Sequence, residues 1–185
     1  MRIIFISLLL YSLHTMAQTQ GENCKDVQDI ALMERLQYER LTGNRQVSLA
    51  SNDFDVKYYR CEWEIDPSIR YITGKITVYY TILSSTNSIS FDLMNDLSVD
   101  SVKQRNTILS KQHINNELQV SFPSSVSAGV FDSVSIFYKG VPANTGFGSF
   151  IQSSHAGVPV VWSLSEPFGS RDWWPCKNGL DDKAD

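Results

Sequence analysis

The sequence predicts an all-β domain of antiparallel strands, arranged as a sandwich or an open twisted double sheet, behind a short helical lead-in. Apolar and polar residues alternate from Ile72 to Ile82, which is the pattern of a strand with one buried face. Shorter apolar stretches follow, separated by turn residues at 95–96, 115–116 and 140–142. No helical pattern interrupts this series, so the sequence favours an antiparallel β fold over a parallel sheet with crossover helices.

The first strand contains a change of parity. Phe54, Val56 and Tyr58 occupy one set of alternate positions, whereas Tyr59 and the apolar residues up to Ile65 occupy the other set. Such a change predicts a bulge or bend near Tyr58-Tyr59. The later strands are predicted at 89–93, 97–102, 107–111, 118–122, 131–139, 146–151 and 158–162.

The N-terminus has the features of a secretory signal peptide. One positive charge precedes a short apolar run, and Ala17 stands before Gln18, so cleavage is expected near Ala17. A membrane span needs roughly 20 apolar residues, more than this run offers. The mature chain is therefore expected in the periplasm or outside the cell. The predicted organisation is a signal peptide at 1–17, a helical lead-in at 18–45 and a β domain at 46–185.

Charge and cysteine count restrict the partners and the chemistry. The chain carries a net charge of −4, which argues against nucleic acid and anionic membrane surfaces as partners. Three cysteines remain after export, Cys24, Cys61 and Cys176, and an odd number leaves the disulfide pairing open. The pattern favours Cys61 as a buried strand residue and no bridge.

The stretch from Trp162 to Asp185 is the densest in chemically distinctive residues. It contains three of the four tryptophans, two prolines, a cysteine and alternating charges, whereas a simple connecting loop carries small polar residues. Taken by composition alone, it is a loop that covers the core, with buried indoles and a locally paired Arg171 and Asp172.

The order of residues in this stretch resembles a signature that closes the N-terminal domain of M1-family zinc aminopeptidases. The family pattern is Gln/Glu-x-x-x-Ala-Arg-x-x-x-Pro-Cys-x-Asp-x-Pro-x-x-Lys. The matching positions here are Glu166, Arg171, Pro175, Cys176 and Lys183.

The stretch also departs from this pattern. Ser170 replaces the usual Ala, Asn178 replaces the usual Asp, and the second proline is missing. The run from Ser165 to Lys177 is similar to M1 members of Bacteroidetes-type bacteria.

This resemblance implies a saddle-shaped β domain in which Glu166 reaches an active site and holds the free α-amine of a peptide substrate. An ammonium has three donors, and a desolvated carboxylate is their natural acceptor. The family also implies a cis peptide bond just after this residue, here the Glu166–Pro167 bond. Arg171, Trp173, Trp174, Pro175, Cys176 and Lys183 are then structural residues of the motif.

The catalytic machinery of the family is missing from the sequence. Neither His-Glu-x-x-His nor Gly-x-Met-Glu-Asn occurs, and His14 leaves with the signal peptide. His113 and His155 have no metal-ligand spacing and are interpreted as surface histidines. We therefore expect no cofactor in this chain, because zinc belongs to the family's catalytic domain, and no activity from the chain alone.

Two functions remain open on the sequence. The first is the substrate-anchoring N-terminal domain of a secreted M1-like zinc aminopeptidase, which meets peptide N-termini through a catalytic domain. The second is a stand-alone secreted β-sandwich binding module for a glycan or protein ligand, with Trp162, Trp173 and Trp174 as an exposed stacking platform. Exposed coplanar indoles would favour the module, and packed indoles the peptidase domain. The family's β domain continues beyond the position of Asp185, so an unpaired sheet edge is also expected.

Overall fold

The computed structural model describes residues 48–143, 145, 148–165 and 168–179, together with Leu32 and Ala184. The signal peptide, the predicted helical lead-in apart from Leu32, and Cys24 lie outside the described residues, as do Glu166, Pro167 and Lys183. The chain divides into two compact units, 1–45 and 46–185, and the strands described here belong to the second. Within the described part of the chain, no helix is long and apolar enough to cross a membrane.

Nine strands follow one another along the chain. They are β1 (Phe54–Ile65), β2 (Ile72–Ile82), β3 (Thr86–Asp92), β4 (Leu97–Gln104), β5 (Thr107–Ile114), β6 (Glu117–Val126), β7 (Phe131–Gly140), β8 (Ile151–His155) and β9 (Val158–Trp162). A 3-10 turn, Ser170–Asp172, comes after them. The antiparallel all-β class predicted from the sequence is confirmed.

Seven of the strands form one sheet in the order β1-β2-β7-β4-β5-β6-β3, and β8 and β9 form a separate hairpin. Strand β5 joins the two halves of the sheet because it changes partner along its length. Its first residues, 107–109, pair with β4, and residues 110–114 pair with β6. The sequence predicted a sandwich or a double sheet, whereas the structure has a single continuous sheet that curls.

The curl brings the two edge strands to the same core. Phe54 of β1 and Phe91 of β3 lie at opposite ends of the strand order, yet their ring centroids are 5.4 Å apart at an interplanar angle of 70°. Tyr80 of β2 and Phe122 of β6 also approach across the interior, at 6.5 Å. Burial of each such side chain stabilises the fold by about 1.5–3 kcal/mol, so the apolar interior accounts for the curl.

The strand with the clearest alternation has the predicted geometry. Its buried positions are Ile72, Gly74, Ile76, Val78, Tyr80 and Ile82. The predicted bulge in β1 is also present, since the register with β2 shifts between Val56 and Tyr58. A bulge adds one residue to one strand, which accounts for the parity change in the sequence.

Two predictions of detail are wrong. In the strand predicted at 146–151, residues 148–150 are not extended and β8 begins at Ile151, because Gly148 has a φ of +98° and the chain from 148 to 150 turns; residues 146 and 147 lie outside the described residues. An extended strand does not include that left-handed conformation. Cys61, predicted as buried, is half-buried because β1 is an edge strand with only β2 beside it.

Candidate functional site

Residues 163–165 and 168–179, which we call the closing segment, lie across the opening between the two edge strands. Cys176 forms an isolated antiparallel bridge with Asp92 at the end of β3, with N···O distances of 2.8 and 3.1 Å. On the other side, the Lys177 ammonium donates to the carbonyl of Phe54 in β1 at 2.8 Å, and the Lys177 backbone N–H donates to Tyr59 Oη at 2.9 Å. The closing segment therefore ties β3 to β1.

A buried carboxylate organises the β3 side of this closure. Asp92 is fully buried and accepts hydrogen bonds from Asn178 N at 3.0 Å, Leu49 N at 2.7 Å and Ser48 Oγ at 2.5 Å. Buried polar groups are stable only when they are hydrogen-bonded, so this carboxylate holds three separate backbone regions together. Sequence reasoning missed Asp92, because a strand-end aspartate looks like any other turn residue.

Tyr138 of β7 supports the segment from inside the sheet. Its hydroxyl donates to the carbonyl of Trp173 at 2.9 Å and accepts from Trp63 Nε1 at 3.0 Å. Burial raises the pKa of Tyr138 well above its ordinary value, so the phenol stays a neutral donor. Gly74 makes room for the ring, since a Cβ at that position would lie 2.5 Å from the Tyr138 ring atoms.

The tryptophans do not form a flat exposed surface. Trp173 and Trp174 are both half-buried and pack against the core, with 69° between their ring planes. Trp174 meets Tyr59 edge-on at 5.1 Å, and of Trp162, Trp173 and Trp174 only Trp162 is largely exposed, at 49%. The coplanar stacking platform expected for the binding-module alternative is therefore not formed.

Arg171 and Asp172 are both buried in the 3-10 turn. The Asp172 carboxylate accepts from Ser149 Oγ at 2.5 Å and from the hydroxyl of Thr145. The carbonyl of Arg171 accepts from Met94 N at 3.0 Å. Among the described residues, Arg171 Nε and Asp172 Oδ1 have no hydrogen-bond partner, and no ion pair joins the two side chains. The local Arg171–Asp172 pair considered from the sequence is thus not seen in the part of the chain that is described.

Pro175 and Cys176 are buried, as expected of structural motif residues. Burial, with the nearby Asp92 carboxylate, raises the pKa of the Cys176 thiol well above its ordinary value. A buried thiol that stays protonated is a poor nucleophile. Its Sγ lies 3.8 Å from Asn178 Oδ1, so it takes part in the packing of the segment.

Glu166 and Pro167 lie outside the described residues, but the chain is held on both sides of them. Ser165 accepts from Gly169 N on its carbonyl at 2.8 Å and from Trp173 Nε1 on its hydroxyl at 2.9 Å. The carbonyl of Phe168 accepts from Asn178 Nδ2 at 2.9 Å. The amine-anchoring role of Glu166, the cis bond after it and the role of Lys183 stay predictions.

His113 and His155 differ in their exposure to solvent. His155 is exposed in the β8–β9 hairpin, as predicted, whereas His113 is half-buried with its Nε2 2.9 Å from the carbonyl of Leu93. The simple surface interpretation of His113 is therefore wrong. Within the described residues, no group of three histidine, cysteine, aspartate or glutamate side chains could hold a metal ion.

No protein-family model matches the sequence, and no curated protein matches it significantly. Solved structures do match. The M1 zinc metallopeptidase from Deinococcus radiodurans superposes with a TM-score of 0.64 at 22% identity, over 74% of this chain and 32% of the other. A mutant of that enzyme bound to a Tyr-Ser-Ala substrate gives a TM-score of 0.63 at 23% identity, with the same coverage.

The fold is that of the N-terminal β domain of M1 zinc metallopeptidases. Native yeast LTA4 hydrolase gives a TM-score of 0.63 at 18% identity, over 74% of this chain and 23% of the other. The chain thus spans about a third or less of the length of the proteins it matches. The resemblance drawn from the closing segment is confirmed at the level of the fold, and its Bacteroidetes-type detail stays a prediction.

Proposed function

We propose that this chain is the substrate-anchoring N-terminal domain of a secreted M1-like zinc aminopeptidase. In this proposal Glu166 accepts hydrogen bonds from the free α-amine of a peptide. The observation that supports it most is the anchoring of Ser165 and Phe168 by Trp173 and Asn178, within a fold shared with M1 metallopeptidases. Positions on each side of the proposed anchor are thereby fixed to the core.

Rigid flanks suit this chemistry. A carboxylate that binds the N-terminus of a substrate has to be held in a fixed position, because small displacements of positioning residues reduce reaction rates strongly. A carboxylate that accepts from an ammonium favours peptides with a free N-terminus over blocked ones. The Deinococcus radiodurans mutant with a bound Tyr-Ser-Ala substrate is consistent with peptide binding in proteins of this fold.

The zinc is assigned to a catalytic domain outside this chain. The sequence has no His-Glu-x-x-His, and the described residues contain no set of three suitable ligands. His113 is already engaged with the carbonyl of Leu93. The described residues therefore do not fit a catalytic zinc site, which needs three protein ligands and an open position.

The first test uses the product of the complete gene, with an aminoacyl reporter as substrate. Glu166→Gln should lower kcat/KM tenfold or more, because a hydrogen bond to a charged group contributes about 1.5–3 kcal/mol. Glu64→Gln is the matched control, since Glu64 is an exposed carboxylate on β1. Equal activity of the two variants, or equal cleavage of N-acetylated and free peptides, would contradict the proposed anchor.

The isolated chain from Gln18 to Asp185 supplies a second measurement. After dialysis it should retain no stoichiometric zinc and should not cleave the reporter. One tightly held zinc per chain together with turnover would overturn the assignment of the metal to another domain. N-terminal sequencing of the exported protein should begin near Gln18, and an intact Met1 would contradict secretion by this route.

A further inference from the structure

Two of the three cysteines left after the predicted cleavage lie on facing parts of the molecule. Cys61 is on the inner face of β1, packed against the hydrophobic core together with Tyr59. Cys176 is in the closing segment, at its bridge with Asp92. Both thiols are free in the structure.

The neighbours of Cys61 contact the neighbours of Cys176. Tyr59, two residues before Cys61, accepts from the backbone N–H of Lys177 at 2.9 Å and meets the Trp174 ring at 5.1 Å. Trp63, two residues after Cys61, packs against Trp173 with ring centroids 4.8 Å apart and an interplanar angle of 38°. Because alternate strand residues share a face, Cys61 points between these two contacts, toward the chain that carries Cys176.

The electrostatic effects of the two cysteines on each other and on Tyr138 agree with this placement. Burial is the main cause of the raised pKa of the Cys176 thiol, and the charge of a Cys61 thiolate adds to it. Both cysteines add in the same way to the raised pKa of Tyr138, whose hydroxyl is bonded to the carbonyl of Trp173. The two sulfur atoms and this phenol therefore lie within electrostatic range of one another.

We propose that Cys61 and Cys176 form a disulfide when the chain folds in an oxidising environment, fastening the closing segment to β1. A disulfide reagent such as oxidised glutathione supplies the oxidising equivalents. One cysteine thiolate attacks it and releases one glutathione thiol. The second cysteine then displaces the other glutathione, so two protein thiols lose two electrons and two protons in total.

In the folded protein neither thiol is freely accessible, because Cys61 is half-buried and Cys176 is buried. Burial raises the pKa of Cys61 as well, which lowers its thiolate fraction. Oxidation of the folded protein is therefore slow, and the bond forms during folding, before Cys176 is covered. The loop it closes is long, since the partners are 115 positions apart, and long loops gain most from such a bond.

The third cysteine, Cys24, competes with Cys176 for pairing with Cys61. Cys24 and Cys61 are only 37 residues apart, so loop entropy in a structureless chain favours their pairing over Cys61–Cys176 by about fivefold. The reduced chain is refolded in a glutathione redox buffer, and its disulfides are mapped by digestion and mass spectrometry. Cys61–Cys176 should predominate. Predominance of Cys24–Cys61, or three free thiols at every ratio, would overturn the proposal.

Thermal melting distinguishes a native disulfide from an incidental one. The refolded protein should melt on the order of 10 °C higher without reductant than with it, since the bond restricts the unfolded chain. Cys24→Ser should keep this difference and Cys61→Ser should lose it. A difference that persists in Cys61→Ser contradicts the assignment. The mapping of pairs in the unsubstituted chain does not depend on the folding of either variant.

Discussion

The curled sheet and the closing segment are stabilised in different ways. In the sheet, buried positions recur every second residue and are filled by apolar side chains, as along β2. In the closing segment the buried residues include Arg171, Asp172 and Asn178, and they follow no such period. Their partners lie far away in sequence, as for Asn178 and Asp92, 86 residues apart. The sheet depends on a repeated pattern, whereas the segment depends on individual hydrogen bonds.

The largest expected effect comes from removing the carboxylate that holds the segment. Asp92→Ala leaves Ser48 Oγ, Leu49 N and Asn178 N without their acceptor. The buried donor on Asn178 costs about 1–3 kcal/mol when it is left unsatisfied, and the two partly buried donors add less each, so the free energy of unfolding should fall by about 3–5 kcal/mol. Urea unfolding followed by circular dichroism measures the loss.

Asp100→Ala is the matched control for this substitution. Asp100 forms an ion pair with Lys139 at 3.1 Å, and both side chains are about half exposed, at 46% and 48%. Such surface pairs contribute about 0–1 kcal/mol. If Asp92→Ala cost no more than Asp100→Ala, the closing segment would not depend on the buried carboxylate.

The second-largest expected effect is at Gly74, which lies beneath the Tyr138 ring that joins the sheet to the closing segment. Alanine is ordinarily more stable than glycine in a strand by about 0.5–1 kcal/mol. Here the added Cβ would lie 2.5 Å from the Tyr138 ring, so Gly74→Ala should instead destabilise by about 1–3 kcal/mol. A double-mutant cycle with Tyr138→Leu measures the clash directly. Equal costs of Gly74→Ala in both backgrounds would show that the ring is not the cause.

The smallest effect is on the outer face of the sheet, at Glu62. A hydrogen bond from Lys75, with added attraction from Arg60, lowers the pKa of Glu62 below its ordinary value of 4.5. Because the folded pKa is the lower one, the stabilisation is present above pH 4.5 and is lost as the pH falls through the folded pKa.

Glu62→Gln should therefore lower the Tm at pH 7 by no more than about 2 °C and leave it unchanged near pH 2.5. Glu64→Gln, at a neighbouring exposed carboxylate, is the control. A larger loss at acid pH than at pH 7 would reverse the sign of the proposed interaction.

The contrast between the curled sheet and the closing segment explains which features could be predicted from the sequence. The alternation of apolar and polar residues identified β2, and the change of parity identified the β1 bulge. A half-buried strand shows this alternation whichever strand it pairs with. It could not reveal that β5 pairs with β4 at one end and β6 at the other, since partner choice leaves no local trace.

In the closing segment the motif singled out Arg171, Pro175 and Cys176, which are buried. It gave no sign of Asp92 or Tyr138, which hold the segment through hydrogen bonds. Asn178 looked like a departure from the family pattern. It donates from its backbone to Asp92 and from its side chain to Phe168, and neither contact follows from its position in a motif.

The bond between Lys177 and the first strand has a consequence for synthesis. A ribosome makes β1 first, yet the carbonyl of Phe54 and the hydroxyl of Tyr59 receive their partners from a residue made more than 110 positions later. A growing chain can pair β1 with β2 early, but the interior stays open to water along one side until residue 177 has emerged. Pairings between such distant residues form late, because the loop must close before the contacts stabilise it. The nascent domain is therefore exposed to proteases and to aggregation until Lys177 has emerged and bonded to β1.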